Sequence, residues 1–175
     1  MGGLRFIDSH AHFDTFEERG EVAAQLATAR EAGVRRVVAI GGTASANRLA
    51  LDLTLRHPGA VRATVGYDRD EVGRSPDLME LDALAARAGV VAVGETGLDY
   101  HYARESAAAQ RELMEANLAV ARKYRLPAVI HSREADEDTI ALLQEHARAW
   151  TGDTARLGVL HCFTGSEPFA RRLLE

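Results

Sequence analysis

Cysteine is nearly absent from this sequence of 175 residues, where Cys162 stands alone. No internal disulfide is available, and the chain suits a reducing compartment. No stretch of about 18 apolar residues exists to cross a bilayer. The opening MGGLRFID lacks the apolar run of a secretion signal. The expectation is therefore a cytoplasmic protein without a membrane partner and with no evident obligate protein partner. Basic charge is not in excess either, since 21 Lys and Arg against 26 Asp and Glu give a net charge of -5. That excludes a basic field that gathers nucleic acid non-specifically. A nucleic-acid substrate would have to be held by bound metal ions and a few local arginines. No low-complexity linker or break in composition divides the chain, so residues 1–175 read as one domain. The hydrophobic fraction of 46% is enough for a sizeable core.

What the sequence does contain is alternation. Short apolar, β-branched runs recur at Arg5–Ser9, Arg36–Ile40, Val61–Val65, Val90–Gly94, Ala128–Ile130 and Leu157–Leu160. Continuous apolar runs of this length fit parallel strands buried on both faces. Between them, helical spacing predicts helices over Glu18–Ala32, Ala44–Arg56, Pro76–Ala88, Arg104–Tyr124, Ala135–Ala149 and Pro168–Leu174. Gly33 is a left-handed stop for the first, and Ser75 and Ser166 are N-caps for the third and last. Strand–helix alternation means α/β with a parallel sheet. An open dinucleotide-binding sheet would carry GxGxxG after its first strand, but here that strand runs into HAHFD. A (β/α)8 TIM-barrel type fits better, with about six of eight βα units present, because a whole barrel needs about 250 residues.

In such barrels the chemistry collects at the carboxyl ends of the strands. The first expected strand leads to His10 and His12, the fourth to Glu95, the fifth to His131 and the sixth to His161. In an extended chain residues i and i+2 share a face, so His10 and His12 can reach one point. Alone, such a pair is as well read as one solvent histidine and one core histidine. Five metal-competent side chains at successive strand ends are not well read as unrelated. Imidazole and carboxylate without thiolate suit Zn, Mn, Fe or Mg. Glu95 can bridge two cations, with His10 and His12 on one side and His131 and His161 on the other. Such a pair activates a water for hydrolysis of a phosphodiester, ester or amide.

The segments IDSHAHFD, VGETGLDYHY, PAVIHSREADEDT and GVLHCFTGS resemble, in order and spacing, the TatD family of metal-dependent hydrolases, in the amidohydrolase-like superfamily of metal barrels. The resemblance runs along essentially the whole chain. It implies a (β/α)8 barrel, a centre of two divalent metal ions (Mg, Mn or Zn) and nuclease activity on DNA, often 3′-to-5′ exonucleolytic. It makes His10, His12, Glu95, His131 and His161 metal ligands, with Glu95 bridging. Two departures stand out. The family carries a further aspartate in a motif like ETDSPY after its eighth strand, which no segment of this sequence matches. Where family members read VGVHPH after the third strand, this chain has Val65-Gly66-Tyr67-Asp68-Arg69-Asp70, which puts Asp68 or Asp70 in the neighbourhood of an expected histidine.

Other residues follow the ligands onto the expected rim. Arg133 can clamp a phosphate oxygen or pair with Glu134 or Asp136. With Glu95 it completes the expected catalytic pair. Tyr100 and Tyr102 can stack on a nucleobase or pack over the rim. Asp14 can orient a ligating imidazole or face solvent near a helix start. Asp99 can fix the loop after the fourth strand or touch substrate. Cys162 reads as a small buried hydrophobe, His57 and His146 as structural or solvated, and His101 as undecided. The function expected is divalent-metal-dependent hydrolysis of DNA phosphodiesters, with DNA or another phosphodiester as partner. The alternatives are a hydrolase of another ester or amide, such as aminoacyl-tRNA, or a truncated, catalytically silent barrel that binds metal or a partner.

Overall fold

Six strands and seven helices follow one another in the computed structural model, which describes residues 5–175. The strands are β1 (Phe6–Ala11), β2 (Val34–Ala39), β3 (Val61–Val65), β4 (Val90–Asp99), β5 (Ala128–Arg133) and β6 (Gly158–Leu160). The helices are α1 (Asp14–Glu18), α2 (Val22–Glu31), α3 (Ala44–Arg56), α4 (Leu78–Ala85), α5 (Ala107–Tyr124), α6 (Asp136–Ala149) and α7 (Glu167–Leu174). All strand pairs are parallel, and the sheet order is β1-β2-β3-β4-β5-β6. Each connection thus advances by one strand in the same direction. Right-handed crossovers then put every helix on one face, and the sheet curls away from them into a half-barrel of the TIM type.

The core lies between that outer face and the helices. Leu53, Val61 and Ala63 centre one cluster under α3, Val65, Leu81, Val93 and Ala121 a second, and Leu98, Met114, Leu118 and Ile130 a third under α5. Each of these residues is at most 2% exposed. The flanking strands are barer, with Phe6, Ile7 and Val159 exposed. No helix is long and apolar enough to cross a membrane among the described residues.

Several boundaries differ from expectation for local reasons. The helix expected over Glu18–Ala32 starts later, as α2, because the chain turns at Gly20 with φ of 67°, and the short α1 lies before that turn. The third expected helix starts later, as α4, and its N-cap is Asp77, whose carboxylate accepts from the N–H groups of Met79 and Glu80. Ser75 has a positive φ and does not cap it. The cap at Ser166 is as expected, accepting from Phe169 N–H. β4 does not stop at Glu95 but continues to Asp99, with Thr96 to Asp99 paired on Ile130 to Arg133.

Between Val93 and Thr96 the strand takes three steps while β5 takes two, from Ala128 to Ile130. The extra residue makes a bulge, which re-aims the side chain it carries. Gly94 permits it, having φ of 142° and no room for a Cβ, which would lie 2.6 Å from the Val129 carbonyl oxygen. Glu95 is the residue so aimed.

Candidate metal centre

The Glu95 carboxylate is buried, and four imidazoles surround it. One oxygen, Oε2, lies 3.3 Å from His10 Nε2 and 3.6 Å from His12 Nε2. The other, Oε1, lies 3.0 Å from His161 Nε2 and 3.5 Å from His131 Nδ1. The backbone fixes each contributor. Ile40 N–H donates to Ala11 O at 3.0 Å, between His10 on β1 and His12 just past its end, and His161 N–H donates to Ile130 O at 3.1 Å. His10 and His161 stack with ring centroids 3.9 Å apart.

The donor spacing tests whether a cation fits. Two atoms each about 2.1 Å from one ion at a tetrahedral angle lie roughly 3.4 Å apart. His10 Nε2, His12 Nε2 and Glu95 Oε2 form a triangle with edges of 3.1, 3.3 and 3.6 Å. On the second side, His161 Nε2 is buried and makes no hydrogen bond although Glu95 Oε1 is 3.0 Å away. Atoms at that spacing can serve as ligands of a common ion. The donor atoms of His10, Glu95 and His161 all lie within 4.8 Å of one another.

Electrostatics agree with that use. Burial alone would push the Glu95 carboxyl up, but the imidazoles of His10 and His161 outweigh it and hold it below the usual carboxylate range. Burial depresses the His12 and His131 imidazoles, with His10 adding to the effect on His12 and the Arg69 charge to that on His131. Neutral imidazole is the ligating form.

Behind His131 stands Asp99, 1% exposed. Its Oδ2 lies 3.2 Å from His131 Nε2, leaving Nδ1 for the Glu95 side. Its Oδ1 accepts from the N–H groups of His101 and Tyr102. Asp99 thus both fixes the loop after β4 and orients a candidate ligand, as carboxylates behind metal-bound histidines do. Burial pushes its carboxyl up, but the Tyr102 N–H, His131 and Arg69 hold it below its ordinary value.

The remaining expectations divide. Asp14 is exposed in the first turn of α1 and makes no hydrogen bond to the His10 or His12 imidazole among the described residues. It acts on His12 only through its charge. The Tyr100 hydroxyl donates to Asp138 Oδ2 at 2.6 Å and its ring packs against the core cluster under α5. Burial and Asp138 push that hydroxyl up to about 12. Arg133 pairs with neither Glu134 nor Asp136; its guanidinium lies over the exposed Tyr102 ring, 4.9 Å from the centroid. His101 pairs with Glu134 at 2.7 Å. Cys162 is exposed rather than buried, since β6 ends at Leu160 and the chain turns outward there with φ of 45°. His146 is buried against Trp150, not solvated.

Sequence reasoning missed three buried amides that hold the strand ends. Asn47 accepts from Gly42 and Gly66 N–H and donates to Gly66 O. Asn117 accepts from Tyr67 N–H and donates to Tyr67 O. Gln110 accepts from Asp99 N–H and donates to Asp99 O. The signal was there on α5, where Gln110 and Asn117 interrupt the stripe of Met114, Leu118 and Ala121 one and two turns apart. It also missed Arg69, whose Nε lies 3.4 Å from Asp99 Oδ2. The unusual Asp68-Arg69 pair marked that loop. Asp68 lies close enough to Glu95 to feel its charge, and burial, with Asp70 and Glu95, pushes its carboxyl up to about 6.

A family model described as TatD related DNase matches residues 7–175. The chain is 30% identical over 170 residues to the uncharacterized metal-dependent hydrolase YabD of Bacillus subtilis, covering 97% of this chain and 65% of that protein. It is 36% identical over 140 residues to a 3′-5′ ssDNA/RNA exonuclease TatD of Yersinia pseudotuberculosis, covering 79% of this chain and 52% of that one. Among solved structures, the TatD homologue YjjV from Escherichia coli K12 superposes with a TM-score of 0.85 and 32% identity, over 97% of this chain and 64% of that chain. The chain thus spans between about half and two thirds of the length of these relatives.

Proposed function

The chain belongs to the family of TatD-related DNases, and from that premise we propose that it is a divalent-metal-dependent hydrolase cleaving phosphodiester bonds of DNA, in the 3′-to-5′ exonucleolytic manner. The observation that carries the reading is the Glu95 carboxylate with a histidine pair at each oxygen. In this reading Glu95, His10, His12, His131 and His161 would together hold two divalent ions. When bound, two such ions supply Lewis acidity that activates water and neutralises charge on the scissile phosphate.

The protein's own residues do the rest. Depressed imidazoles stay neutral at physiological pH and keep their lone pairs for ligation. Asp99 holds the His131 tautomer and ring plane. The bulge at Gly94 and the amides Asn47, Asn117 and Gln110 hold the strand ends at fixed spacing, which matters because small misplacement of reacting groups costs rate. Arg133, exposed over Tyr102, is available to contact a phosphate along the strand.

The test is a substrate panel of bis-p-nitrophenyl phosphate, single-stranded DNA and a carboxyl ester, assayed with Mg²⁺ or Mn²⁺. Hydrolysis of the first two, lost with chelator, supports the reading. Hydrolysis of the ester alone would replace it with carboxyl-ester chemistry at the same centre.

A further inference from the structure

We propose that Arg69 is a phosphate-binding residue of this centre, a guanidinium held beside the candidate ligand His131 with its donors free for a substrate phosphodiester. The inference rests on the hydrolase reading above and adds a specificity residue to it. Arg69 opens the short helical turn Arg69–Glu71 directly after the β3 end, and its side chain is only 22% exposed. Its Nε lies 3.4 Å from Asp99 Oδ2, the same oxygen that faces His131 Nε2 at 3.2 Å. His131 in turn faces Glu95. The guanidinium is therefore one side chain removed from the four-histidine cluster.

Two facts make it a binding group rather than a structural counter-charge. First, no nitrogen of Arg69 makes a hydrogen bond among the described residues, its approach to Asp99 being an ion pair only. Beyond that ion pair the guanidinium fork has donors to spare, and the chemical match for its planar geometry is a phosphate or carboxylate oxygen pair. Second, Asp99 has other partners. That carboxylate already accepts from His101 N–H, Tyr102 N–H and His131. The other neighbour, Asp70, is distant at 3.9 Å and exposed. Arg133 differs, being exposed with its guanidinium lying over the Tyr102 face.

The experiment compares the full chain, metal-loaded, with Arg69→Gln and Arg69→Lys. Inorganic phosphate and thymidine 5′-monophosphate are titrated by calorimetry, and kcat/KM is measured for bis-p-nitrophenyl phosphate and for p-nitrophenyl acetate. Arg69→Gln is expected to weaken phosphate binding roughly tenfold or more, the scale of one lost charge-assisted contact. The ratio of phosphodiester to carboxyl-ester kcat/KM falls with it, while metal content and thermal midpoint are retained; Arg69→Lys recovers part of the binding. Unaltered phosphate binding in Arg69→Gln overturns the inference, as does parallel loss of metal, which would make Arg69 a support for Asp99. A parent chain that turns over only the carboxyl ester overturns the phosphodiester reading itself, an outcome distinct from an active phosphodiesterase insensitive to Arg69.

Discussion

Single side chains at the rim carry separable roles, and Asp99 shows it most clearly. It reaches no Glu95 oxygen yet orients His131 and ties down two loop N–H groups. Replacing it with Asn keeps the shape and removes the charge behind the imidazole. The expected outcome is metal affinity lowered by about 10–100-fold, measured by competition against a chromophoric chelator; unchanged affinity would reduce Asp99 to a loop anchor. His146 gives a second test, of stability rather than chemistry. It is buried against Trp150, and desolvation together with the Arg122 charge depresses its imidazole from 6.5. The unfolded chain therefore binds the proton more readily than the folded one. Stability is complete above 6.5 and falls as pH drops from there through the folded value. Urea unfolding of the metal-free chain at several pH values should show that decline, with a shallower slope in His146→Gln. An unaltered slope would assign the dependence to His12 and His131, which burial depresses in the same direction.

At the scale of elements, the strand ends are held from outside the sheet. Asn47 on α3 satisfies Gly42 N–H, Gly66 N–H and Gly66 O, all buried. Truncation to Ala strands those groups, so Asn47→Ala should cost about 3 kcal/mol in denaturant unfolding and loosen metal binding with it. Gly66 packs so closely on β4 that a Cβ would lie 2.6 Å from Gly94 Cα. Gly66→Ala is expected to displace the bulge that aims Glu95 and to lower metal occupancy, read by emission spectrometry; full occupancy would show that the bulge tolerates the shift. The sequence made much of this legible. Strand ends with ligand-type residues announce themselves because the βα repeat fixes which residue reaches the rim. The bulge did not, because a single added residue in β4 leaves the apolar run Val90–Val93 unchanged and shows only in pairing with β5. The later helix start after Gly20 and the cap at Asp77 depended on backbone angles that the apolar spacing does not encode. Arg69 was invisible for a related reason: its contact with Asp99 joins the loop after β3 to the end of β4, far apart in the chain.

Across the whole molecule, six parallel strands curl into a half-barrel whose outer face is well covered and whose flanks are not. Phe6 and Ile7 on β1 and Val159 on β6 are exposed apolar side chains on strands that pair on one side only among the described residues. Such edges favour association. Sedimentation velocity of the 175-residue chain should show self-association increasing with concentration, and a monodisperse monomer would contradict this. The centre itself depends on β1, β4, β5 and β6 converging on Glu95, which makes metal stoichiometry the most direct test of the account. Plasma emission spectrometry on the purified chain, beside His131→Ala and Glu95→Gln, should give two divalent ions per chain, with loss in both variants. A folded chain that holds no metal after loading would contradict the convergence of the four histidines on Glu95, and with it the proposed centre.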